Sequence, residues 1–258
     1  MIRKILIVIV IGVSLSFSNK KDKMFIPPGT VQITETFFAD ETEVSNFSWR
    51  EYEFWVAEKY GFKSKEHLSM LPDTLVWRNH NTYNEPYVQY YYRHPSYRNY
   101  PVVGISYEQA LAFCKWRTER VKEYYYIKYK KEIDMEYRLP NNNQWELLSN
   151  TGLDVFSNKG KNNKGLLKLN CKREIADTIT QKTWSLKSDV TAPVYSYWKN
   201  YFGLFNIIGN VAEMVSEKNI SKGGSWNHYL EECRVGKTIA YSKPESWLGF
   251  RCICIMTK

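Results

Sequence analysis

Five cysteines and four histidines carry most of the reactive chemistry this chain can offer. Thiolates and imidazoles bind soft and borderline metals, and thiols oxidise to disulfides outside the cytoplasm. The cysteines are Cys114, Cys171, Cys233, Cys252 and Cys254; the histidines are His67, His80, His94 and His228. No two cysteines form a CxxC pair, and the histidines show no zinc-ligand spacing, so a structural zinc site is not supported. The odd cysteine count leaves at least one thiol without a partner in the chain. No Ser/His/Asp arrangement, phosphate loop or GxGxxG stands out, which weakens the commonest hydrolase and nucleotide-binding readings.

The elements that position these groups are legible in part. The spacing predicts a helix over Ser45 to Tyr60, with Trp49, Tyr52, Trp55 and Val56 on one side and Gly61 as its stop. Ser106 to Gln109 matches a capping box, in which the Ser oxygen and the Gln side chain satisfy free amides of the first turn. Leu111, Cys114, Thr118 and Val121 follow on one face, which puts Cys114 on the core side. Asn141 to Gln144 repeats that logic before Trp145, Leu147 and Leu148. A strand is expected from Phe25 to Val31, interrupted by Pro27-Pro28-Gly29, with Gln32 to Phe38 as its continuation. Further short strands are expected near Thr191–Tyr197, Ser221–Trp226 and Gly249–Ile255. Between Leu71 and Tyr100 lies a Tyr-, Asn- and Pro-rich stretch with little period, and a loop this long carries function or packs through its own aromatics. The pattern as a whole is α+β, with few helices, short strands and much ordered coil.

The chain opens with a cationic Met1-Ile2-Arg3-Lys4, a thirteen-residue apolar run from Ile5 to Phe17, and small residues Ser16 and Ser18. That is the form of a secretory signal, and the run is short for a bilayer crossing, which takes about 20 residues. Residues 1–18 are therefore expected to be a signal peptide and 19–258 one domain, exported to the periplasm or cell envelope. No transmembrane segment is expected after signal removal, and the lack of a cysteine near the cleavage region argues against a lipid anchor. Apolar residues make up 43% of the chain and aromatic ones 16%, which is enough for a packed core. The net charge of +9 falls to +7 without Arg3 and Lys4. The lysines are scattered, so a solvated basic surface is the reading and no nucleic-acid partner is expected.

Several segments in order resemble the formylglycine-generating-enzyme (sulfatase-modifying factor) superfamily, a variant of the C-type-lectin fold. They are Thr42-Glu43-Val44-Ser45-Asn46, Tyr137-Arg138-Leu139-Pro140 with Trp145-Glu146, Gly203 through Glu213, Gly223-Gly224-Ser225-Trp226, and Leu248-Gly249-Phe250-Arg251. A second layer is similar to the branch containing the gliding-motility and type IX secretion lipoproteins K and J. It comprises Pro72 to Trp77, Tyr83-Asn84-Glu85-Pro86, Tyr90 to Pro95, Tyr100 to Gly104 and Trp116-Arg117-Thr118. The resemblance covers residue 25 to the end.

What it implies can be stated residue by residue. The enzymes bind copper(I) through two cysteines after Gly-Gly-Ser and use it to oxidise a substrate cysteine. The matching positions here are His228 and Cys233, so one soft ligand is replaced and one kept. The family's second calcium site maps onto Asn206 and Glu213 as side-chain ligands, with Gly209 and Val211 offering carbonyls, a set of oxygen donors suited to a hard cation. For the first calcium site Asn170 and Cys171 align and Asp189 is available, but the ligand register is lost. The family disulfide maps onto Cys114 and Cys252. Trp77, Tyr90, Tyr91 and Tyr92 are the candidate recognition surface, because amphipathic rings anchor interfaces. The favoured expectation is a non-catalytic binding or scaffold protein with envelope proteins as partners, tied to gliding or type IX secretion. The alternative is a metal-dependent oxidase acting on a cysteine of an exported protein, with carbohydrate binding suggested by the lectin-like fold alone.

Overall fold

The structure is a computed structural model that describes residues 25–78, 83–149, 160–165, 167–172 and 190–257. The expected signal peptide lies outside the described residues. Two four-stranded sheets carry the chain. In the first, β1 (Thr30–Gln32), β2 (Phe37–Asp40), β8 (Ile253–Met256) and β3 (Met135–Arg138) are all antiparallel in the order β1-β2-β8-β3. The second has the order β6-β5-β4-β7, from β6 (Ile239–Ala240), β5 (Ile220–Lys222), β4 (Ala212–Met214) and β7 (Leu248–Gly249). β4 and β7 run parallel there.

Helix α1 (Asn46–Tyr60) starts at Ser45, whose side chain accepts from Ser48 N, and ends at Gly61. Two short helices follow, α2 (Lys65–Ser69) and α3 (Glu85–Tyr90). α4 (Tyr107–Tyr129) begins with the full Ser106/Gln109 capping box. In α5 (Asn142–Ser149), Asn141 and Gln144 cap each other reciprocally at 2.8 and 3.0 Å. α1 and α4 meet through Trp49 stacked on Phe113 at 5.4 Å, with Phe250 edge-on to both. Their seam is the main core, and it includes Cys114, Cys252 and Cys254. A second core gathers Trp145, Leu148, Cys171, Leu204, Ile207 and Cys233.

Four expectations change. Gln32 to Phe38 is not a continuing strand: Ile33 N and Thr34 N both donate to Phe37 O, so the chain reverses into the β1–β2 hairpin. Thr191 to Tyr197 is coil and turn, held by Val194 N on Asn99 O and Ala192 N on the Asn210 side chain. Gly249 to Ile255 divides between the two sheets as β7 and β8. Leu111 faces solvent at 41% exposure, one turn away from the buried stripe of Ala110, Cys114 and Val121.

Candidate functional site

β5 is followed by Gly223 and Gly224, both with positive φ. A Cβ on Gly224 would stand 2.3 Å from Cys233 Sγ and 2.9 Å from its Cα, so only glycine lets the chain pass this close to the thiol. Ser225 then organises the turn: its Oγ accepts from Asn227 N at 3.1 Å and sits 2.6 Å from His228 Nδ1. The His228 carbonyl accepts from Lys172 N, and its ring stands edge-on to Trp247 at 4.7 Å. Burial pulls the imidazole below its usual pKa, against the charge of Glu232 and with that of Lys172. Cys233 closes a 3-10 turn at Leu230–Cys233 and is fully buried. Burial, and then the neighbouring Cys171, push its thiol up to about 12.

His228 and Cys233 are thus neighbours that do not converge as a ligand pair. The contact between them is Sγ to the His228 carbonyl at 4.0 Å, while the ring turns to Ser225 and Trp247. A thiol held protonated at neutral pH is also a poor metal donor until it is stripped of its proton. This donor set, as arranged, does not fit a two-coordinate soft-metal site. Among the described residues, no three His, Cys, Asp or Glu side chains group as metal ligands. Sequence reasoning named Cys171 at the first calcium position and left its pairing open; the structure puts it in the second core with Cys233. Its signal was parity, since one assigned pair leaves three cysteines over. Cys114 and Cys252 face each other as buried thiols with sulfurs 3.5 Å apart.

The turn from Asn206 to Glu213 forms a buried polar knot. Asn206, Gly209 and Asn210 all take positive φ, and the two asparagine side chains turn inward to Glu43. The Arg251 guanidinium, fully buried, grips both Glu213 oxygens at 2.6 to 2.8 Å, and Trp145 Nε1 donates to Oε2 at 2.9 Å. Arg251 also reaches the carbonyls of Asp40 and Phe205. A second carboxyl, Glu43, accepts from Asn206 Nδ2 at 3.2 Å and Asn210 Nδ2 at 2.8 Å. One arginine therefore serves two buried acids. Burial raises the Glu43 carboxyl to about 8, with Arg251 opposing and Glu213 adding to the rise.

Glu213 does not fit a calcium ligand in this arrangement. A carboxylate offers roughly four lone-pair sites, and Arg251 and Trp145 occupy them. A cation there would also lie against the guanidinium. Gly209 has its own structural reason, because a Cβ would strike Asn170 O at 2.6 Å. Val211 packs with Trp77, Tyr91 and Val103. At the first calcium position, Asn170 Nδ2 donates to Val190 O and Asn210 Oδ1, and Cys171 is buried. Asp189 lies outside the described residues.

The Tyr-rich stretch is largely internal. Trp77, Tyr91 and Tyr92 are 3%, 2% and 6% exposed, so three of the four expected recognition rings are core residues. Tyr91 Oη donates to Pro101 O and meets Thr191 Oγ1, and Tyr92 Oη donates to Glu53. Each ring buries its body and satisfies its hydroxyl, the arrangement that lets tyrosine sit inside. Tyr90 remains at the surface.

The sulfatase-modifying factor enzyme 1-like domain family matches residues 6–255. Formylglycine-generating enzyme of Mus musculus is 26% identical over 186 residues, covering 60% of this chain and 44% of that enzyme. The chain thus spans under half the length of this curated relative. Among solved structures, CarF is similar with a TM-score of 0.53 at 15% identity, over 86% of this chain and 87% of that one. Treponema denticola variable protein 1 is similar with a TM-score of 0.49 at 16% identity, over 89% and 92%. The likeness to CarF is one of fold.

Proposed function

Because the chain belongs to the sulfatase-modifying factor enzyme 1-like domain family, with its α+β fold, we propose that it is a member working by binding: an exported, non-catalytic scaffold of the cell envelope. The observation that supports this reading is the state of Cys233. Its thiol is buried and pushed up to about 12, and the residue in the position of the first soft ligand, His228, turns its ring to Ser225 and Trp247. Export is supported by the cationic start and the apolar run from Ile5 to Phe17. Among the described residues, no helix is long and apolar enough to cross a membrane. The similarity of Pro72–Trp77 and Tyr90–Pro95 to the gliding and type IX secretion branch supports an association with that apparatus. The test is cross-linking in intact cells followed by identification of the attached proteins. Reproducible envelope partners are expected, and their absence would count against the scaffold role.

A second reading, a cysteine-directed oxidase, is favoured by one observation: Cys171 lies beside Cys233 in the same apolar cluster and supplies a second thiol. It predicts copper-dependent oxygen consumption with a cysteine-containing peptide, lost in Cys233→Ser. No oxygen uptake above the Cys233→Ser background would dispose of it.

A further inference from the structure

Helix α1 breaks the ordinary inside–outside pattern at four positions. It buries Asn46 and Glu53 alongside Trp49, Tyr52 and Val56, and turns Phe47 and Phe54 outward at 44% and 67% exposure. A surface helix ordinarily does the opposite. The buried polar residues have internal partners: Asn46 Nδ2 donates to Tyr91 O and Tyr97 O, and Glu53 accepts from His67, Tyr92 and Arg93. Among the described residues, the phenylalanines have no such covering. They stand two turns apart on one face and, with Trp55 and Trp116, line an open groove of about 580 Å³.

Two further observations describe what this groove fits. Its cations are Arg50 and Arg98, the latter stacked over Phe47 at 4.9 Å, and Glu51 is the acid among its lining residues. Burial raises the Glu51 carboxyl, with Arg117 opposing the rise. Trp116 Nε1 is buried with no acceptor among the described residues. The same Trp55 and Trp116 also line a second groove of about 590 Å³, whose charges are Lys59, Lys115, Glu66, Glu108 and Glu119, so the floor extends past a single small cavity while the arginines mark its Phe47 end. Exposed aromatics beside arginines are the composition of protein interfaces.

We propose that this groove docks a polypeptide segment bearing large apolar or aromatic side chains flanked by carboxylates. The rings of Phe47, Phe54 and Trp55 take the apolar side chains. Arg50 and Arg98 pair the carboxylates, with the planar two-pronged geometry that suits them. The extended floor fits a chain better than a compact ligand. This rests on the binding reading above and names where binding happens.

The test uses the mature protein and two labelled peptides, one alternating aspartate with phenylalanine and leucine, the other with lysine in place of aspartate. Fluorescence polarisation is expected to show binding of the aspartate peptide, weakened at least about tenfold in Phe54→Ala. Arg50→Glu with Arg98→Glu is expected to abolish that binding and confer binding of the lysine peptide. All three positions are exposed, and circular dichroism of each variant checks its fold. Equal binding of both peptides, or binding of neither, overturns the proposal. Sedimentation showing a dimer that Phe54→Asp dissolves would also overturn it, assigning the groove to a second copy. Envelope cross-links that persist in the Phe54 variant would sink the groove and leave the scaffold role standing; no cross-links in either protein would sink the scaffold role.

Discussion

The interior knot around Arg251 and the outer face of α1 are opposite departures from ordinary burial. One hides a guanidinium and two carboxyls; the other displays Phe47 and Phe54 to solvent. The knot is explained by its own hydrogen bonds, each charged atom meeting a partner inside the fold. Among the described residues, the α1 face has only Arg98, stacked over Phe47, against its two phenylalanines. The contrast separates what the fold needs from what it leaves free for another molecule. It also relocates the binding question, from the Tyr-rich stretch to a helix whose inward face that stretch helps to cover.

The largest expected effect breaks the knot. Arg251→Met leaves the buried Glu213 carboxylate without its cation and is expected to cost about 3–5 kcal/mol by urea denaturation. A loss below about 1 kcal/mol would mean the knot is not held by its charge pair. Chelation is expected to leave the denaturation midpoint unchanged, since Arg251 already supplies the positive charge. A calcium-dependent rise would show that Glu213 releases Arg251 to the ion.

Glu43 sharpens the same side of the comparison through pH. Its folded carboxyl titrates at about 8, above the ordinary 4.5, so the folded state holds a proton that the unfolded chain gives up. The stabilisation is complete below about 4.5 and is lost as pH rises toward 8, at about 1.4 kcal/mol per unit. The Glu43→Gln variant should lose a few kcal/mol less than the parent between those pH values. Equal slopes for the two proteins would show Glu43 to be ionised throughout.

A smaller loss is expected at the glycine turn. Gly224→Ala drives a methyl into the Cys233 sulfur and is expected to cost about 1–3 kcal/mol, read as a lower melting temperature. Phe54→Ser should do least, within about 0.5 kcal/mol of the parent, because its ring supports nothing in the core. A large loss there would turn the outer face into a structural one and remove the comparison's second half.

The parts of this fold legible in the sequence are those whose signals are local. Ser45, the Ser106/Gln109 box and the Asn141/Gln144 pair each satisfy amides three residues away, and the helices start there. The hairpin at 33–36 was not legible, because Ile33-Thr34-Glu35-Thr36 holds no Gly, Pro, Asn or Asp to mark a turn and its Thr and Ile suit a strand. The division of Leu248–Met256 between two sheets depends on β4 and β2, both remote in sequence. At the site, the motif residues Glu43, Glu213 and Arg251 were visible individually. Their mutual pairing was not, since Arg251 lies 38 residues from Glu213 and no spacing rule connects them. Tyr91 and Tyr92 looked like interface anchors because amphipathic rings serve both roles, and only their hydroxyl partners decide which.

The central claim is that His228 and Cys233 do not form a working copper site. Cu(I) titration of the mature protein against His228→Ala, Cys171→Ala and Cys233→Ala tests it most directly. The account predicts no stoichiometric copper that the His228 and Cys233 substitutions both remove. One equivalent of copper, bound by the parent and lost in both of those variants, would contradict it.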